Sequence, residues 1–349
     1  MPPGKRETFD ATELAVVLSY YDLAVVESIT EFPRGSRRSP KVGIVSERGK
    51  FLLKRRAPFR SNPDRVRFAH RVQMHLAAAG FPVAKLILTR DHLQTLVQIR
   101  DRVYELFEFV AGQPYERLVP QAHDAGVVLA RFHQTMDDFA LPPTLPVPSG
   151  DYHDAAGVRS GLGGIGMTLS SHDSFTGNEA ELSGLIQSLL ESYDRAAEAA
   201  NQLGFASWPQ RIVHSDWHPG NVLFRKDRAV AVLDYDSVRR SRRIIDLANG
   251  ALQFSMIANG DPANWPDELD EERFRAFVSG YQSLAALEEE ERCSMPHLMA
   301  EALVAECVAP IAETGSVGRW AGYRVLQMVR RNLKWLRSNA ERLTGMVEV

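Results

Sequence analysis

The segment RIVHSDWHPGNVLF, residues 211–224, brings several chemically capable side chains together between two short apolar runs. His214, Asp216 and His218 alternate along what would be extended backbone, so they could face one way and hold a zinc ion. A catalytic zinc site normally needs further His, Asp or Glu ligands, and no other histidine of the chain lies in a comparable cluster. A metallohydrolase is therefore one interpretation of the segment, and the less favoured one.

The same segment also has the spacing of a phosphoryl-transfer loop, His-x-Asp-x-x-x-x-Asn. In that chemistry the Asp orients the attacking hydroxyl, and the Asn oxygen holds a Mg²⁺ ion that bridges the phosphates. Asp216 and Asn221 have this spacing, and Pro219-Gly220 favours a turn that would bring them close together. The pattern indicates Asp216 as the catalytic base and Asn221 as a metal ligand.

Two other parts of a phosphoryl-transfer site occur in the expected order. The apolar run AVAVLDYDS ends in Asp234, a carboxylate at the tip of a predicted strand and a suitable second Mg²⁺ ligand. Upstream, KFLLKRR offers Lys54, from which an ammonium group could reach the α- and β-phosphates of a nucleotide. Taken singly, Lys54 could be a solvated lysine at a strand end and Asp234 a helix cap. Together with the loop they favour a kinase.

These residues need a sheet and a helical scaffold to position them. Short Val-, Ile- and Phe-rich runs before residue 111 predict about five antiparallel strands, including AVVESITEF, KVGIVSE and VAKLILTR. One helix is predicted at NPDRVRFAHRVQMHLAAAG and a shorter one, capped by Thr12, near the start. From Gln121 onward the spacing is mainly helical. The sequence therefore predicts an α+β protein with two lobes, residues 1–111 and 112–349.

Residues 141–178 are rich in Pro, Gly, Ser and Asp, which predicts a long surface insertion. Within it, GLGGIG formally satisfies Gly-x-Gly-x-x-Gly, but it follows no strand and precedes no clear helix, so we do not interpret it as a dinucleotide site. We expect this stretch to be part of the loop.

The chain resembles the aminoglycoside phosphotransferase and homoserine kinase superfamily, which has a two-lobed protein-kinase-like fold. HSDWHPGN is similar to that family's His-Gly-Asp-x-His-Pro-Gly-Asn, and LDYDS to its Ile-Asp-Phe-Asp strand. DLANG, GVVLARFHQTM and YELFEFVAGQPY resemble its Asp-Leu-Ala helix start, its Leu-Ala-x-Leu-His helix and its hinge. The resemblance covers roughly residues 12–255 and is most specific in 211–248.

The resemblance implies ATP-dependent transfer of phosphate to a hydroxyl of a small molecule, with Mg²⁺ as cofactor; GTP as donor stays open. It implies Asp216 as base, Asn221 and Asp234 as Mg²⁺ ligands, and Lys54 as phosphate clamp. Backbone groups of Glu108 and Val110 would meet the adenine. The remaining motif residues would support the loop: His214, His218 and Asp246.

Two features depart from the family pattern. The first-lobe helix contains no acidic residue after Asp64 that could pair with Lys54, so we expect Gln73 or His70 to face the lysine. The turn FPRGSRRSPK carries one Gly and several basic residues, so arginines could help to hold the phosphates. A pseudokinase is therefore the main alternative. In SVRRSRRIID, Arg240 and Arg242 are surplus arginines that could contact an anionic acceptor.

Composition and charge limit the partners, the compartment and the class of kinase that the sequence allows. The chain has 349 residues and a net charge of −3, which gives no indication of a nucleic-acid partner. Its two cysteines suit a reducing compartment, and no apolar run reaches the length of a membrane span, so we expect a cytoplasmic protein without membrane contact. No segment after Asp234 resembles a protein-kinase activation loop, which makes a Ser/Thr protein kinase the less favoured reading. Acceptor identity and oligomeric state stay open.

Overall fold

A mixed sheet-and-helix unit forms the first part of the chain in a computed structural model that describes residues 6–33, 35, 37–140, 146–171, 175 and 177–347. Its antiparallel sheet has the strand order β1-β2-β3-β5-β4. The elements are α1 (Ala11–Leu18), β1 (Val26–Glu31), β2 (Lys41–Ser46), β3 (Gly49–Arg55), α2 (Pro63–Ala78), β4 (Val97–Ile99) and β5 (Arg102–Glu108).

Alternating burial along β2 and β3 fixes the face that each strand presents to the core. Val42, Ile44 and Leu53 are buried with Leu106 of β5 in a first apolar cluster. The resulting register places Lys54 directly opposite Glu105 of β5 and, on the other side, opposite Lys41 of β2. Cross-strand neighbours have Cβ atoms about 4.5–5.5 Å apart. The pairing of the sheet therefore decides which charges surround Lys54.

The rest of the chain is mainly helical and carries short β-ribbons. Its core joins most of these helices to the inner face of α2. The elements are α3 (Val119–Asp137), α4 (Ala156–Ser170), α5 (Glu179–Gln202), β6 (Gln210–Val213), β7 (Val222–Arg225), β8 (Arg228–Val232), β9 (Arg239–Arg242), α6 (Arg243–Ser255), α7 (Glu271–Gln282), α8 (Glu289–Thr314), β10 (Ser316–Val317), β11 (Trp320–Ala321), α9 (Gly322–Ser338) and α10 (Ala340–Gly345).

Helices α3 and α7 cross at a contact that only glycine permits. A Cβ atom on Gly126 would lie 1.9 Å from the carbonyl oxygen of Phe277, and one on Gly280 would lie 2.1 Å from that of His123. Since real Cβ atoms do not approach this closely, both positions must lack a side chain. The crossing matters for the site because α3 also carries His133, which contacts Asp246, the carboxylate that binds the catalytic segment.

The structure corrects several local expectations. Asp10, rather than Thr12, caps α1 by accepting the N–H of Glu13. Residues 83–90 are extended but form only isolated bridges, at Val83 and Leu86, rather than a strand. The sheet has five strands, because β4 and β5 pair within LQTLVQIRDRVYELFEFV, the run that the sequence predicts to form a hairpin with its turn at Arg100-Asp101.

The expectation that the glycine-rich stretch GLGGIG belongs to a loop is wrong, because this stretch lies inside helix α4. Leu162, Ile165 and Leu169 of this helix are buried in the core. Gly161 sits against Val308 of α8, where a Cβ atom would approach to 2.2 Å. Packing therefore outweighs the low helix propensity of glycine, about 1 kcal/mol per residue. Positions 141–145, 172–174 and 176 of the expected insertion lie outside the described residues.

Helix α8 is long and apolar enough, by length and composition, to cross a membrane, and no other helix in the described part of the chain meets this criterion. Of the window concerned, 61% is buried inside the protein. A helix that is apolar around much of its surface is also what a protein core requires.

Candidate active site

The segment between β6 and β7 contains the catalytic-loop motif, and one buried carboxylate holds it in place through hydrogen bonds. Asp246, in the first turn of α6, accepts the backbone N–H groups of His214 at 2.7 Å and Ser215 at 2.6 Å. His133 of α3 lies with Nε2 3.1 Å from the same carboxylate, while its Nδ1 is 2.9 Å from the hydroxyl of Tyr281. Burial lowers the pKa of His133, so a neutral ring donates to Asp246.

Ser215 has a backbone φ of 64°, in the left-handed region where glycine is favoured. The related motif carries Gly at this position, so the local conformation explains that glycine. The backbone N–H groups of His214 and of Ser215 itself both donate to Asp246, and these two hydrogen bonds hold the strained turn in place.

Asp216 is oriented by two neighbours within the loop. Nδ2 of Asn221 donates to Oδ2 of Asp216 at 2.9 Å and also to its carbonyl oxygen. His218 accepts the N–H of Gly220 at Nδ1, so we place its proton on Nε2, which lies 3.5 Å from Oδ1 of Asp216. Burial would raise the pKa of Asp216, but the hydrogen bonds from His218 and Asn221 are among the interactions that lower it overall, which keeps the carboxylate ionised.

The amide of Asn221 is therefore fixed through its nitrogen, and its oxygen takes no part in these bonds. Leu233 donates its N–H to the carbonyl of Asn221 at 2.8 Å, which ties the end of β8 to the loop. The next residue, Asp234, has a φ of 58° and an exposed side chain. Asn221 and Asp234 thus lie on adjacent, hydrogen-bonded backbone.

Lys54 sits in a buried cluster of alternating charges. Its Nζ lies 3.7 Å from Oε2 of Glu105 and 3.5 Å from Oδ2 of Asp236. Arg56 contacts the same two carboxylates, at 2.8 Å and 2.6 Å. His70 Nε2 lies 2.6 Å from Glu105. Glu105 of β5 therefore pairs with Lys54 in place of the residue that was expected from α2. His70 hydrogen-bonds to Glu105 rather than facing the lysine directly.

The pKa values of the cluster show which charges are stabilised. Burial alone would raise the pKa of Glu105, but the charges of Lys54 and Arg56 and the hydrogen bond to His70 hold it well below its usual range. Burial would lower the pKa of Lys54, yet Glu105 and Asp236 raise it overall. Both groups are consequently charged at neutral pH. Glu105 and Asp236 were not identified from the sequence.

A second lysine lies beside Lys54 in the sheet. Lys41 of β2 is the register partner of Lys54. Burial and the charge of Lys54 lower the pKa of Lys41, and Asp234 partly offsets this. Its Nζ lies close to Gly35 in the turn before β2, because a Cβ atom on that glycine would come within 2.7 Å. The ammonium groups of Lys41 and Lys54 are therefore close enough to interact, with Asp234 nearby.

The hinge follows β5 and is held to both halves of the chain. Glu108 donates its N–H to Lys85 at 2.8 Å, and Gln113 exchanges two backbone hydrogen bonds with Phe224 of β7. Gly112 packs so tightly that a Cβ atom would lie 2.8 Å from Leu223. Val110 lies within this hinge and is half-buried. Glu108 and Val110 thus occupy the segment that joins the sheet to the helices, as the sequence indicates.

A cavity of about 390 Å³ opens beside the catalytic loop. Pro219 of the loop and Glu306 of α8 both line it, together with Tyr115. Trp265 and Trp320 form an edge-to-face pair in its wall, with ring centroids 5.1 Å apart. The cavity is therefore mostly aromatic and apolar, with an acidic group next to Asp216.

The two cations that line this cavity are occupied by protein groups. Arg273 pairs with Asp270 at 2.9 Å and also donates to the carbonyl of Phe254. Arg117 donates to Asn259 at 2.6 Å. Glu306, by contrast, has no ion pair with any residue in the described ranges. Arg273 is thus neutralised by Asp270, whereas the partners of Arg117 are neutral groups, and Glu306 is the acidic residue of the lining.

Glu306 is the residue whose role the sequence motifs do not reveal. Its side chain reaches solvent through the cavity, although protein surrounds the carboxyl group. Burial and the nearby charge of Asp216 raise the pKa of Glu306 to about 7, while His218 and a hydrogen bond with Asn249 oppose the rise. Strongly perturbed carboxyl groups in a cleft are typical of binding and catalytic sites.

Arg240 and Arg242 lie outside the residues that line this cavity. Arg242 donates to the carbonyl of Ala206 at 2.7 Å and stacks over the ring of Phe205. Arg240 is exposed on β9. Their suggested contact with an acceptor stays a prediction.

The zinc alternative finds no ligand set in the described residues, where no group of three His, Cys, Asp or Glu side chains is arranged to hold a metal ion. His214 is turned away from Asp216 and contacts the carbonyl of Leu233 at 3.1 Å. The sheet with a paired lysine, the hinge and the loop instead define a two-lobed phosphotransferase of the protein-kinase-like class.

Comparison with known sequences gives the family. A sequence model described as the phosphotransferase enzyme family matches residues 28–292, and the chain belongs to this family. Stress response kinase A of Salmonella choleraesuis is 24% identical over 254 residues, which span 70% of this chain and 66% of that protein. A homoserine kinase of Caulobacter sp. strain K31 is 25% identical over 317 residues, 87% of each chain.

Solved structures share the fold at low sequence identity. A microcompartment-associated aminopropanol kinase superposes with a TM-score of 0.70 at 15% identity and covers 96% of this chain and 99% of its own. An amicoumacin kinase, solved with AMP-PNP, Ca²⁺ and Ami, gives 0.66 at 15% identity and covers 96% and 94%. These likenesses extend the kinase-like fold over nearly the whole chain, including the helices that follow residue 292.

Proposed function

We propose that the protein transfers the γ-phosphoryl group of ATP to a hydroxyl of a small molecule. The observation that carries this proposal is the arrangement of Asp216, Asn221 and Asp234 on hydrogen-bonded, adjacent backbone, with Lys54 held in a charged cluster. Family membership supports the same reaction. In this proposal residues 1–111 bind the nucleotide and residues 112–349 carry the loop and the acceptor site.

Asp216 would act as the base because it is ionised, oriented by Asn221 and His218, and next to the cavity. It would align the acceptor hydroxyl for in-line attack and receive its proton. Lys54 and Lys41 would bind the phosphate oxygens, and the hinge at Glu108 and Val110 would present backbone groups to adenine. GTP is an alternative phosphate donor, and the experiment below includes it.

The oxygens of Asn221 and Asp234 fit a Mg²⁺ ion. Amide and carboxylate oxygens are the hard ligands that this ion prefers, and it usually uses only one or two protein carboxylates beside the phosphates. Bound there, Mg²⁺ would neutralise phosphate charge during transfer. The fixed amide nitrogen of Asn221 keeps its oxygen free for this role.

The acceptor that fits the cavity best is an amino alcohol. A cationic nitrogen would meet the carboxylate of Glu306 and the faces of Trp265, Trp320 and Tyr115, which attract cations through the ring quadrupole. Its hydroxyl would lie toward Asp216. The names of several relatives and fold neighbours point the same way: homoserine, aminopropanol, choline and ethanolamine each combine a hydroxyl with a nitrogen that is cationic at neutral pH.

The test is ADP formation with a panel of these four amino alcohols, each set against a neutral diol of similar size, with ATP or GTP as donor. We expect turnover with at least one amino alcohol and little with its neutral counterpart. Asp216→Asn should lower kcat by about 10²–10⁴ while ATP affinity stays near that of the wild type. Unchanged ADP formation in this variant would remove Asp216 from the mechanism.

Glu306→Gln separates acceptor binding from chemistry. It should raise KM for the amino alcohol and leave the KM for ATP unchanged. Equal KM values for the acceptor in both proteins would contradict the role of Glu306.

The metal site is tested by whether nucleotide binding depends on Mg²⁺. The measurement is the melting temperature of the protein with ATP and Mg²⁺, compared with that in ATP and EDTA. ATP binding without turnover on any acceptor would favour the pseudokinase alternative. A cytoplasmic location stays a prediction.

A further inference from the structure

A second cavity of about 390 Å³ lies between α5, α8 and α9 and shares no lining residue with the cavity beside the catalytic loop. We call it the basic groove. It is lined by Ser188, Ser192, Arg195, Ala196, Ala199, Pro296, His297, Ala300, Arg330, Arg331, Leu333, Lys334, Leu336, Arg337 and Ala340. Its volume falls within the range of small-molecule sites, about 300–1,000 Å³.

The charge of the basic groove is entirely positive. Arg195, Arg330, Lys334 and Arg337 are exposed around it, and none makes an ion pair or side-chain hydrogen bond with another residue in the part of the chain that the structure describes. Arg331 is the exception, since it pairs with Asp267 at 2.7 Å. No Asp or Glu is among the lining residues. For a chain of net charge −3, this concentration of unpaired cations is unusual.

The floor of the basic groove is apolar. Ala196, Leu333 and Leu336 are buried there, and Pro296, inside α8, adds a ring that has no N–H to donate. Burial lowers the pKa of His297, so its ring adds no charge to the floor at neutral pH. An apolar floor with a cationic rim suits a ligand that has both an apolar body and an anionic head.

We propose that the basic groove binds an anionic amphiphile, a small molecule with one phosphate or carboxylate head on an apolar chain. The guanidinium groups of Arg195, Arg330 and Arg337 offer forked donors for phosphate or carboxylate oxygens. Burial of the chain against the leucines and alanines would supply the apolar part of the affinity. Binding of a ligand in the basic groove does not require the proposed phosphoryl transfer to take place.

The position of the basic groove links it to the acceptor cavity. Helix α8 presents Pro296 and Ala300 to the groove, and Leu303 and Glu306 to the acceptor cavity. Helix α9 likewise lines both cavities, with Leu333 in the groove and Met328 in the acceptor site. A ligand that fixes these helices from the groove would therefore restrain the wall that carries Glu306.

The experiment measures binding by calorimetry with dodecyl phosphate and laurate as monomers, and with dodecanol and inorganic phosphate as partial ligands. Arg330→Gln/Lys334→Gln removes two cations of the rim and should weaken binding of the anionic amphiphiles by about tenfold or more. Arg131→Gln/Arg275→Gln is the matched control, since both arginines are exposed on the helical part of the chain and line neither cavity. It should bind as the wild type does.

Saturable binding of the anionic amphiphiles that the groove variant alone weakens supports the proposal. Several outcomes overturn it: no saturable binding, equal affinity in the groove variant, equal affinity for dodecanol or for inorganic phosphate, or binding only to vesicles that contain anionic lipid. Hydrogen exchange tests the link to the acceptor cavity, because the ligand should slow exchange in the α8 segment 303–307. Unchanged exchange there would contradict the link. Neither measurement requires turnover, so failure of the proposed catalytic function would be seen separately.

Discussion

Replacing Glu105 by glutamine should destabilise the protein more than any other single change of charge in the sheet. Glu105 is 1% exposed and lies between Lys54, 16% exposed, and Arg56, 4% exposed. With Asp236 these residues form a buried group of two cations and two anions. The Gln variant leaves a net positive charge in that group. Removing one partner of a buried ion pair costs about 3–5 kcal/mol, a large part of a typical stability of about 5–15 kcal/mol.

Urea unfolding at neutral pH measures the free energy of unfolding of wild type and variant. Glu31→Gln is the control, because Glu31 is an exposed strand residue and its loss changes the net charge equally. The difference between wild type and Glu105→Gln should also depend on pH. The folded pKa of Glu105 is lowered, so its contribution is complete above the unfolded value of about 4.3 and is lost as the pH falls below it.

A free energy of unfolding for Glu105→Gln within about 0.5 kcal/mol of the control would refute this reasoning, since surface substitutions have effects of that size. A difference that stayed constant between neutral and acidic pH would refute the electrostatic origin. The variant should also raise KM for ATP, because Lys54 would keep only Asp236 as its anionic partner. This links the stability of the cluster to nucleotide binding.

Three further predictions follow from local geometry. Ser215→Gly should leave thermal stability unchanged or raise it by up to about 1 kcal/mol, because glycine relieves the left-handed backbone; a clear loss of stability in thermal unfolding would contradict this. Gly126→Ala should lower the free energy of unfolding by about 1–3 kcal/mol or more through the clash with Phe277, whereas Gly184→Ala, with open space around it, should raise it by about 0.5–1 kcal/mol; the same sign for both in urea unfolding would refute the packing argument. For an amino-alcohol acceptor, kcat/KM should rise as the pH increases through about 7, the pKa of Glu306, because only the carboxylate attracts the cation; Glu306→Gln should abolish this rise in a pH–rate profile.

Residues close together in the sequence were the easiest to assign. Asp216 and Asn221 belong to one loop, and a single backbone hydrogen bond from Leu233 brings Asp234 beside them. Their relative positions depend on a few turns, so spacing alone carries the information. Family resemblance then extended this local pattern to the two-lobed fold. The sheet register that surrounds Lys54 could not be obtained in the same way.

Glu105 shows why the register mattered. The sequence indicates that α2 lacks the acidic partner of Lys54, but the cross-strand position of Glu105 becomes evident only when β3 and β5 are aligned. A shift of one residue would turn Glu105 to the other face of the sheet. The helix α4 was missed for a related reason. Its glycines predict a loop locally, whereas burial of Leu162 and Ile165 against the core decides the outcome.

Glu306 shows why the specificity for the acceptor is harder to predict from the sequence than the catalytic loop. It lies 90 residues after Asp216 in the sequence, on a helix whose spacing predicts only packing. Its charge gains meaning from the cavity, where Arg273 is neutralised by Asp270 and Arg117 is held by neutral groups of Asn259 and Ala258. Phosphoryl transfer depends on a compact loop that every acceptor must approach, so its residues form a recognisable motif. In the proposed function the acceptor would contact side chains from separate helices, and only their assembled charge and shape indicate which molecules could bind.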